Sequence, residues 1–240
     1  MKFDEYGIDE VKGQEVPFRH INYPNIKFNK SSFLKEWVDK YINNEITIIL
    51  DIGALEGGDS LRFSSWYPNA TIFTIEGSPH NYEVINKNLG NVLNIKTYNC
   101  LMSDTNGLVN FNQTTYNCND ESKYMVIGSI YDIKKEKKEK HKLGTIKSIN
   151  VESVTFDKFC ENNDIKNVDI AHIDVEGAGY NVILGMNKIL PKLIFIEKES
   201  SEFYNDKTTG GNEELIKLLN KKGYTMVVEL NNDYLFKLKI

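Results

Sequence analysis

From Ile46 onward the chain alternates between short apolar runs and amphipathic segments of helix length. The first run, "ITIILDIG" (Ile46 to Gly53), is continuously apolar and β-branched, the pattern of a strand covered on both faces in a parallel sheet. A helix-length segment, Asp59 to Tyr67, separates it from a second strand, "ATIFTIEG". Helix "SPHNYEVINKNL", strand "VLNIKTYNC", strand "VDIAHIDVEG", helix "YNVILGMNKIL" and strand "LIFIEKE" continue the series. Strands separated by helices imply right-handed crossovers and a parallel sheet with helices on both faces. After helix "NEELIKLLNKKG", the runs "YTMVVEL" and "YLFKLKI" are divided only by Asn231, Asn232 and Asp233, hairpin spacing with no room for a crossover helix. The pattern predicts an α/β fold: a doubly wound, mostly parallel seven-stranded sheet with a C-terminal antiparallel hairpin.

Two segments depart from the alternation. Residues 1–45 read as an irregular arm followed by one helix in "SSFLKEWVDKYINN", where Ser31 or Ser32 can cap and Phe33, Leu34, Trp37 and Tyr41 share a face. Residues 46–240 then form the main domain, interrupted at 105–150 by a stretch far longer than an ordinary connection. A long insertion at the ligand edge of a sheet acts as a substrate wall or lid. Its "KKEKKEKHK" reads as a solvated helical face with alternating charge, while "GSIYDI" is apolar enough to dock. Tyr6, Phe18, His20 and Tyr23 of the arm offer another wall, or a contact in a homodimer.

Composition narrows the class. A chain of 240 residues with 40 % hydrophobic and 26 % charged positions buries a sizeable core. The net charge of -5, with arginine only at positions 19 and 62, argues against a nucleic-acid partner, which calls for clustered cations. Cys100, Cys118 and Cys160 are too few and scattered for a disulfide framework or a zinc site. The segment "MKFDEYGIDEVKGQ" lacks the apolar core of a signal peptide, and no run approaches a membrane span. The expectation is a soluble, cytoplasmic protein without a membrane partner.

In open α/β sheets ligands bind beyond the carboxyl ends of the strands. The first such end carries "ILDIGALEGGDS". Gly53, Gly57 and Gly58 do not spell GxGxxG, the tight turn that brings a helix N-terminus to a pyrophosphate. The looser spacing permits close backbone approach to a ligand that need not carry phosphates. Glu76 ends the second strand, 25 residues after Asp51, where an acid can accept hydrogen bonds from both ribose hydroxyls of a nucleoside. A terminal antiparallel strand suits a Rossmann-like class I methyltransferase better than a dinucleotide-binding domain.

The motifs "DIGALEGGDSL", "IEGSPHNYEVINKNL", "LMSDTNG", "VTFDKF", "HIDVEGAGYNVILGM" and "IFIEKE" occur in an order and spacing that resembles the FkbM family of S-adenosylmethionine-dependent methyltransferases, over roughly Ile46 to Tyr224. The most specific element is "IDVEGAGYNVILG". The resemblance implies S-adenosyl-L-methionine as cofactor and O-methylation of a hydroxyl on a sugar, glycan or natural-product small molecule. It also implies that Asp51, Gly53, Ala54, Glu56 and Gly57 line the methionine end and that Glu76 and Gly77 hold the ribose. The strand-three exit at Cys100 to Asp104, Ser103 and Asp104 included, would flank the adenine, with Asp174 and Glu176 near the transferred methyl. Leu55 and Glu56 replace the Asn-Ile-like pair usual in the turn, and His172 stands where lysine is frequent.

A hydroxyl acceptor needs a base within hydrogen-bond reach. Asp174, Glu176, His172 and Glu197 are the candidates, all at or near the ends of two adjacent strands. His172 can equally be a satisfied core histidine, and Glu176 can stabilise a helix N-terminus. Asp174, Glu176 and Glu197 could supply oxygens to a divalent cation, but no spacing requires one and no metal is expected. A nicotinamide-dependent oxidoreductase on a Rossmann-type sheet and a non-catalytic cofactor-binding partner protein are the alternatives.

Overall fold

The computed structural model describes residues 33, 35–116, 126–140, 143–198, 204, 211–230 and 232–239. Ser31, Ser32, Leu34, Cys118 and the arm residues Tyr6, Phe18, His20 and Tyr23 lie outside the described residues. The elements run α1 (Lys35–Tyr41), β1 (Ile48–Ile52), α2 (Gly58–Trp66), β2 (Thr71–Glu76), α3 (Pro79–Leu89), β3 (Ile95–Asn99) and β4 (Leu101–Ser103). Then come β5 (Gly107–Tyr116), β6 (Val126–Ser129), α4 (Lys135–Lys140), β7 (Leu143–Thr155), α5 (Phe156–Asn162) and β8 (Ile170–Ile173). The chain continues with α6 (Gly179–Leu184), β9 (Leu193–Glu197), α7 (Gly211–Lys221), β10 (Tyr224–Glu229) and β11 (Asp233–Leu238).

The principal sheet has the seven strands that the sequence pattern predicts, and their order is β10-β11-β9-β8-β1-β2-β3. β1, β2, β3, β8 and β9 pair in parallel, and β11 inserts antiparallel between β9 and β10. Period-two alternation sorts the side chains into two cores. Leu50, Ile52, Phe73, Ile75, Ala171, Ile173, Ile194 and Ile196 face α5, α6 and α7, where Phe156, Phe159, Val182, Leu215 and Leu219 cover them. Ile49, Ile72, Ile170, Leu193 and Phe195 face Phe33 and Val38 at the start of the described chain, and Leu61, Phe63, Trp66, Ile85 and Leu89 of α2 and α3.

Local signals set the helix ends. Ser78 caps α3, its hydroxyl accepting from the Asn81 amide, with Pro79 at the first helical position. Thr155 caps α5 in the same way, accepting from the Lys158 amide. α6 is shorter than the expected "YNVILGMNKIL" helix. It stops at Gly185, where a Cβ would collide with the Ser103 carbonyl, so side-chain-free backbone is what allows α6 to close on β4.

The insertion is a sheet rather than an irregular loop. The expected third strand breaks at Cys100: β3 stays in the principal sheet, and β4 joins β7, β5 and β6 in a second sheet of order β4-β7-β5-β6. The charged segment is helical over α4 and buries no residue.

Opposite the carboxyl ends, Asp169 fastens three strand starts. Its carboxylate accepts from the amides of Thr47 and Ile48, from the Thr47 hydroxyl and from the Lys192 ammonium. Burial pushes its pKa up, but the Lys192 and Thr47–Ile48 hydrogen bonds outweigh it and leave the group below the usual range. Asp169→Ala leaves the part-buried Thr47 and Ile48 amides without their acceptor and is expected to cost about 1–2 kcal/mol in urea unfolding at neutral pH. The wild-type advantage over the alanine variant should shrink in acid, as pH falls through the depressed folded-state pKa.

Candidate functional site

Beyond the carboxyl ends of β1, β2 and β8 lies a cleft of about 650 Å³, measured out to its solvent mouth. Its floor is Ile52, Gly53, Leu55, Ile75, Glu76 and Gly77; Cys100, Leu101 and Met102 close one end, and Asp174 to Glu176 with Ala178 close the other. Phe111 and Gly128 of the second sheet, with Ile130 just beyond β6, form the facing wall.

The turn after β1 is held by its own amides. Gly53 and Ala54 donate to the Ile75 carbonyl, Leu55 to Glu76 Oε2 at 2.9 Å, and Gly57 to the Ala54 carbonyl. Gly53 has φ 84°, and a Cβ there would overlap the Asp174 carbonyl. The turns after β1 and β8 therefore touch through backbone. Glu76 Oε1 also accepts from the Ser78 amide at 2.7 Å. Burial pushes the Glu76 carboxyl up to about 7 against the pull of these amides.

Five expected site residues thus meet in one cleft: Gly53, Glu76, Gly77, Asp174 and Glu176. Asp174 is exposed to the cleft, whereas Glu176 is half-buried in a left-handed conformation, φ 51°. Enclosure by the protein, and repulsion from Glu176, push the Asp174 carboxyl well above the usual range, although water in the open mouth screens part of that effect. Glu176 is also raised by burial, partly offset by a hydrogen bond from the Tyr204 hydroxyl. Each of the two carboxyls therefore keeps its proton to a higher pH than a solvated acid would.

The remaining expected residues do not line the cleft. Asp51 is fully buried, its Oδ2 accepting from Ser60 Oγ at 2.5 Å and its Oδ1 facing His172 Nδ1 at 2.9 Å. Its carboxylate is committed inside the fold and corrects the expectation that it contacts a ligand. His172 is likewise a core residue, only 5 % exposed, its ring stacked on Phe195 and edged by Phe33 and Phe63, so it stands too far inside to serve as base. Ala54 and Glu56 are buried beside the turn, the Glu56 carbonyl taking a hydrogen bond from Asn88. Gly57 turns the chain against Leu89. Ser103 is buried and donates to Asp104, which also accepts from Asn181 on α6. Glu197 ends β9, half-buried and off the lining. Among the described residues no group of three His, Cys, Asp or Glu side chains could hold a metal ion, and no helix is long and apolar enough to cross a membrane.

Of the expected exit Cys100 to Asp104, the residues Cys100, Leu101 and Met102 line the cleft. Sequence reasoning missed the apolar lining residues Phe111 and Ile130 and the role of Leu55, whose amide anchors Glu76. Phe111 carried no signal in the sequence.

A seven-stranded sheet with one antiparallel strand slotted in next to last, and a cleft over the first, second and fourth parallel strand ends, is the Rossmann-like fold of class I methyltransferases. The structure of an O-methyltransferase from Bacillus cereus in complex with S-adenosylhomocysteine superposes with a TM-score of 0.52, at 11 % identity over 88 % of this chain and 83 % of that one. The Methyltransferase FkbM domain model matches residues 51–226, and the chain belongs to that family. The 2-O-methyltransferase NoeI of Sinorhizobium fredii is 30 % identical over 155 residues, 65 % of this chain and 63 % of NoeI, so the match spans less than two thirds of that relative.

The buried Asp51–His172 pair has a readable pH signature. Burial opposes the imidazolium, but the hydrogen bond and charge of Asp51, with Asp59 and Asp174, raise His172 to about 9. A raised histidine stabilises the fold fully below about 6.5 and loses that contribution as pH rises through about 9. Urea midpoints of the wild type should fall between pH 7 and 9, a window above the titration of Glu76 at about 7. His172→Gln should flatten that fall.

Proposed function

We propose that the protein is an S-adenosylmethionine-dependent O-methyltransferase acting on a hydroxyl of an uncharged sugar, glycan or other small molecule. One observation carries the choice of cofactor: the charged residues lining the cleft are Glu76, Asp174 and Glu176, all acidic, and the turn amides that could cradle a pyrophosphate donate inward instead. A nicotinamide dinucleotide shares the acidic ribose acceptor but needs free turn amides for its pyrophosphate. The same lining fits S-adenosylmethionine. Glu76 can accept from ribose hydroxyls, the apolar end at Cys100, Leu101, Met102 and Phe111 suits a purine, and the acidic end suits cationic ammonium and sulfonium groups.

When bound, that cofactor supplies a methyl group on a positively charged sulfur. The chain's part is to orient and to manage a proton. Asp174, open to the cleft, is placed to accept a hydrogen bond from an acceptor hydroxyl and to take its proton as the new C–O bond forms. Alignment of the reactants supplies the larger share, up to about 7–11 kcal/mol in favourable cases. The name of NoeI, a 2-O-methyltransferase, supports oxygen as the methylated atom. Asp174 replaces the earlier set of four candidate bases because it alone combines exposure with a place at the acidic end.

Calorimetry with S-adenosylhomocysteine tests the reading: binding is expected, and NAD should not compete. Glu76→Ala should weaken binding at least tenfold, since it removes the ribose acceptor and orphans the Leu55 and Ser78 amides. Because the carboxylate form accepts the ribose hydrogens, affinity should fall as pH drops below about 7. Displacement by NAD, with no response to S-adenosylhomocysteine, would return the oxidoreductase.

A further inference from the structure

Glu176 stands at the acidic end of the cleft in a backbone conformation that an L residue adopts only under constraint, φ 51°, followed by Gly177 at φ 87°. Two segments far away in sequence hold it there. From β6, Ser129 Oγ donates to the Glu176 carbonyl at 2.8 Å, and the Tyr131 amide donates to Ser129 Oγ in turn. From the segment after β9, Tyr204 lays its ring over Gly177, where a Cβ would strike it, and its hydroxyl donates to Glu176 Oε2 at 3.2 Å. Tyr204 also forms an antiparallel bridge with Ile133 and packs with Tyr131 and Ala178 in a small apolar cluster separate from the two main cores. It is 4 % exposed and does not line the cleft.

We propose that Tyr204 is a positioning residue, which acts through Glu176 by fixing the direction and ionisation of its carboxylate beside Asp174. This rests on the reading of the cleft as a methyltransferase site. The hydroxyl is a donor at every working pH, because burial and the negative charges of Glu176 and Glu197 hold the phenol protonated. A donor to one carboxylate of an interacting pair favours ionisation of that one, and its negative charge raises the proton affinity of the other. Asp174, in its ionised form, is then the stronger base of the two, and Glu176 the fixed acceptor that orients a substrate hydroxyl. The titratable groups around the pair are Asp174 in the same turn, Tyr204 from after β9, Glu197 acting on Tyr204, and His172, Asp233 and Asp59 acting on Asp174. The neighbours from β6 and α6 are neutral, Ser129 and Asn181, the latter accepting from Tyr131.

The test is a carboxyl-carbon NMR titration of the full chain, with Glu176 assigned by its loss in Glu176→Gln. In Tyr204→Phe, which keeps the ring over Gly177 and removes only the hydroxyl, Glu176 should titrate at higher pH than in the wild type. Tyr204→Ala should show at least the same upward shift. S-adenosylhomocysteine affinity, measured on the same samples, should change less than twofold in Tyr204→Phe. An unshifted Glu176 in Tyr204→Phe overturns the proposal, including the case where Tyr204→Ala alone shifts it, since ring packing would then be the whole role. Failure of the wild type to bind S-adenosylhomocysteine would instead overturn the methyltransferase reading, and the carboxyl titration would still report whether Tyr204 sets Glu176.

Discussion

The cleft depends on a backbone contact with no side chain in it: Gly53 of the turn after β1 lies against the carbonyl of Asp174 in the turn after β8. Parallel pairing of β1 with β8 brings the two strand ends level, and the Asp174 amide continues that pairing by donating to Ile52. Any Cβ at position 53 would force the turns apart. The Gly53 and Ala54 amides meanwhile reach the other neighbour, β2, at Ile75. Three strand ends are thus locked by groups that need no ligand. Loop ordering is borne in folding, and a ligand that enters meets a preformed floor.

Directly beneath that floor runs a buried polar chain: Thr74, Ser60, Asp51 and His172, linked at 2.6, 2.5 and 2.9 Å. Burying an ion pair costs desolvation that Coulomb attraction only partly offsets, and removing one partner leaves a worse state than either. The chain is tolerable because each carboxylate oxygen has a partner and the imidazole stacks on Phe195. Asp51, Thr74 and His172 are register partners on adjacent strands, so their hydrogen bonds tie α2 to the sheet through Ser60. The cation also lies behind Asp174, where it opposes the repulsion that Glu176 exerts on that carboxyl.

The strands and the antiparallel end of the sheet were legible because a buried parallel strand needs a nearly unbroken apolar run, and the terminal hairpin left too few residues for a crossover. Glu76 and Gly53 were legible because both sit where a strand ends. Asp51 misled for a reason the alternation contains: it shares parity with Ile49, so it points into the layer under α2, two residues short of the cleft. His172 follows the same parity. What the sequence could not reveal were contacts across long separations. Phe111 lies 35 residues beyond Glu76 and Tyr204 lies 28 beyond Glu176; neither has a periodic signature to connect it with its partner.

The second sheet bears on how acceptors are chosen under the proposed function. It leaves the principal sheet after one residue, Cys100, and returns to it through α5, capped by Thr155, so it is fastened at both ends. Strand pairing between β5 and β7 runs from Gly107 to Tyr116, which makes the wall a stiff ribbon. The Phe111 ring rests on Gly77 and on Gly128, both of which have no room for a Cβ. Phe111 therefore joins the ribose end of the cleft to the wall. At the far end, Ser129 and Tyr131 join the same wall to Glu176. A ribbon anchored at both ends of the cleft sets its width, and under the proposed function the gap between β6 and the Asp174–Glu176 turn is what would size the acceptor.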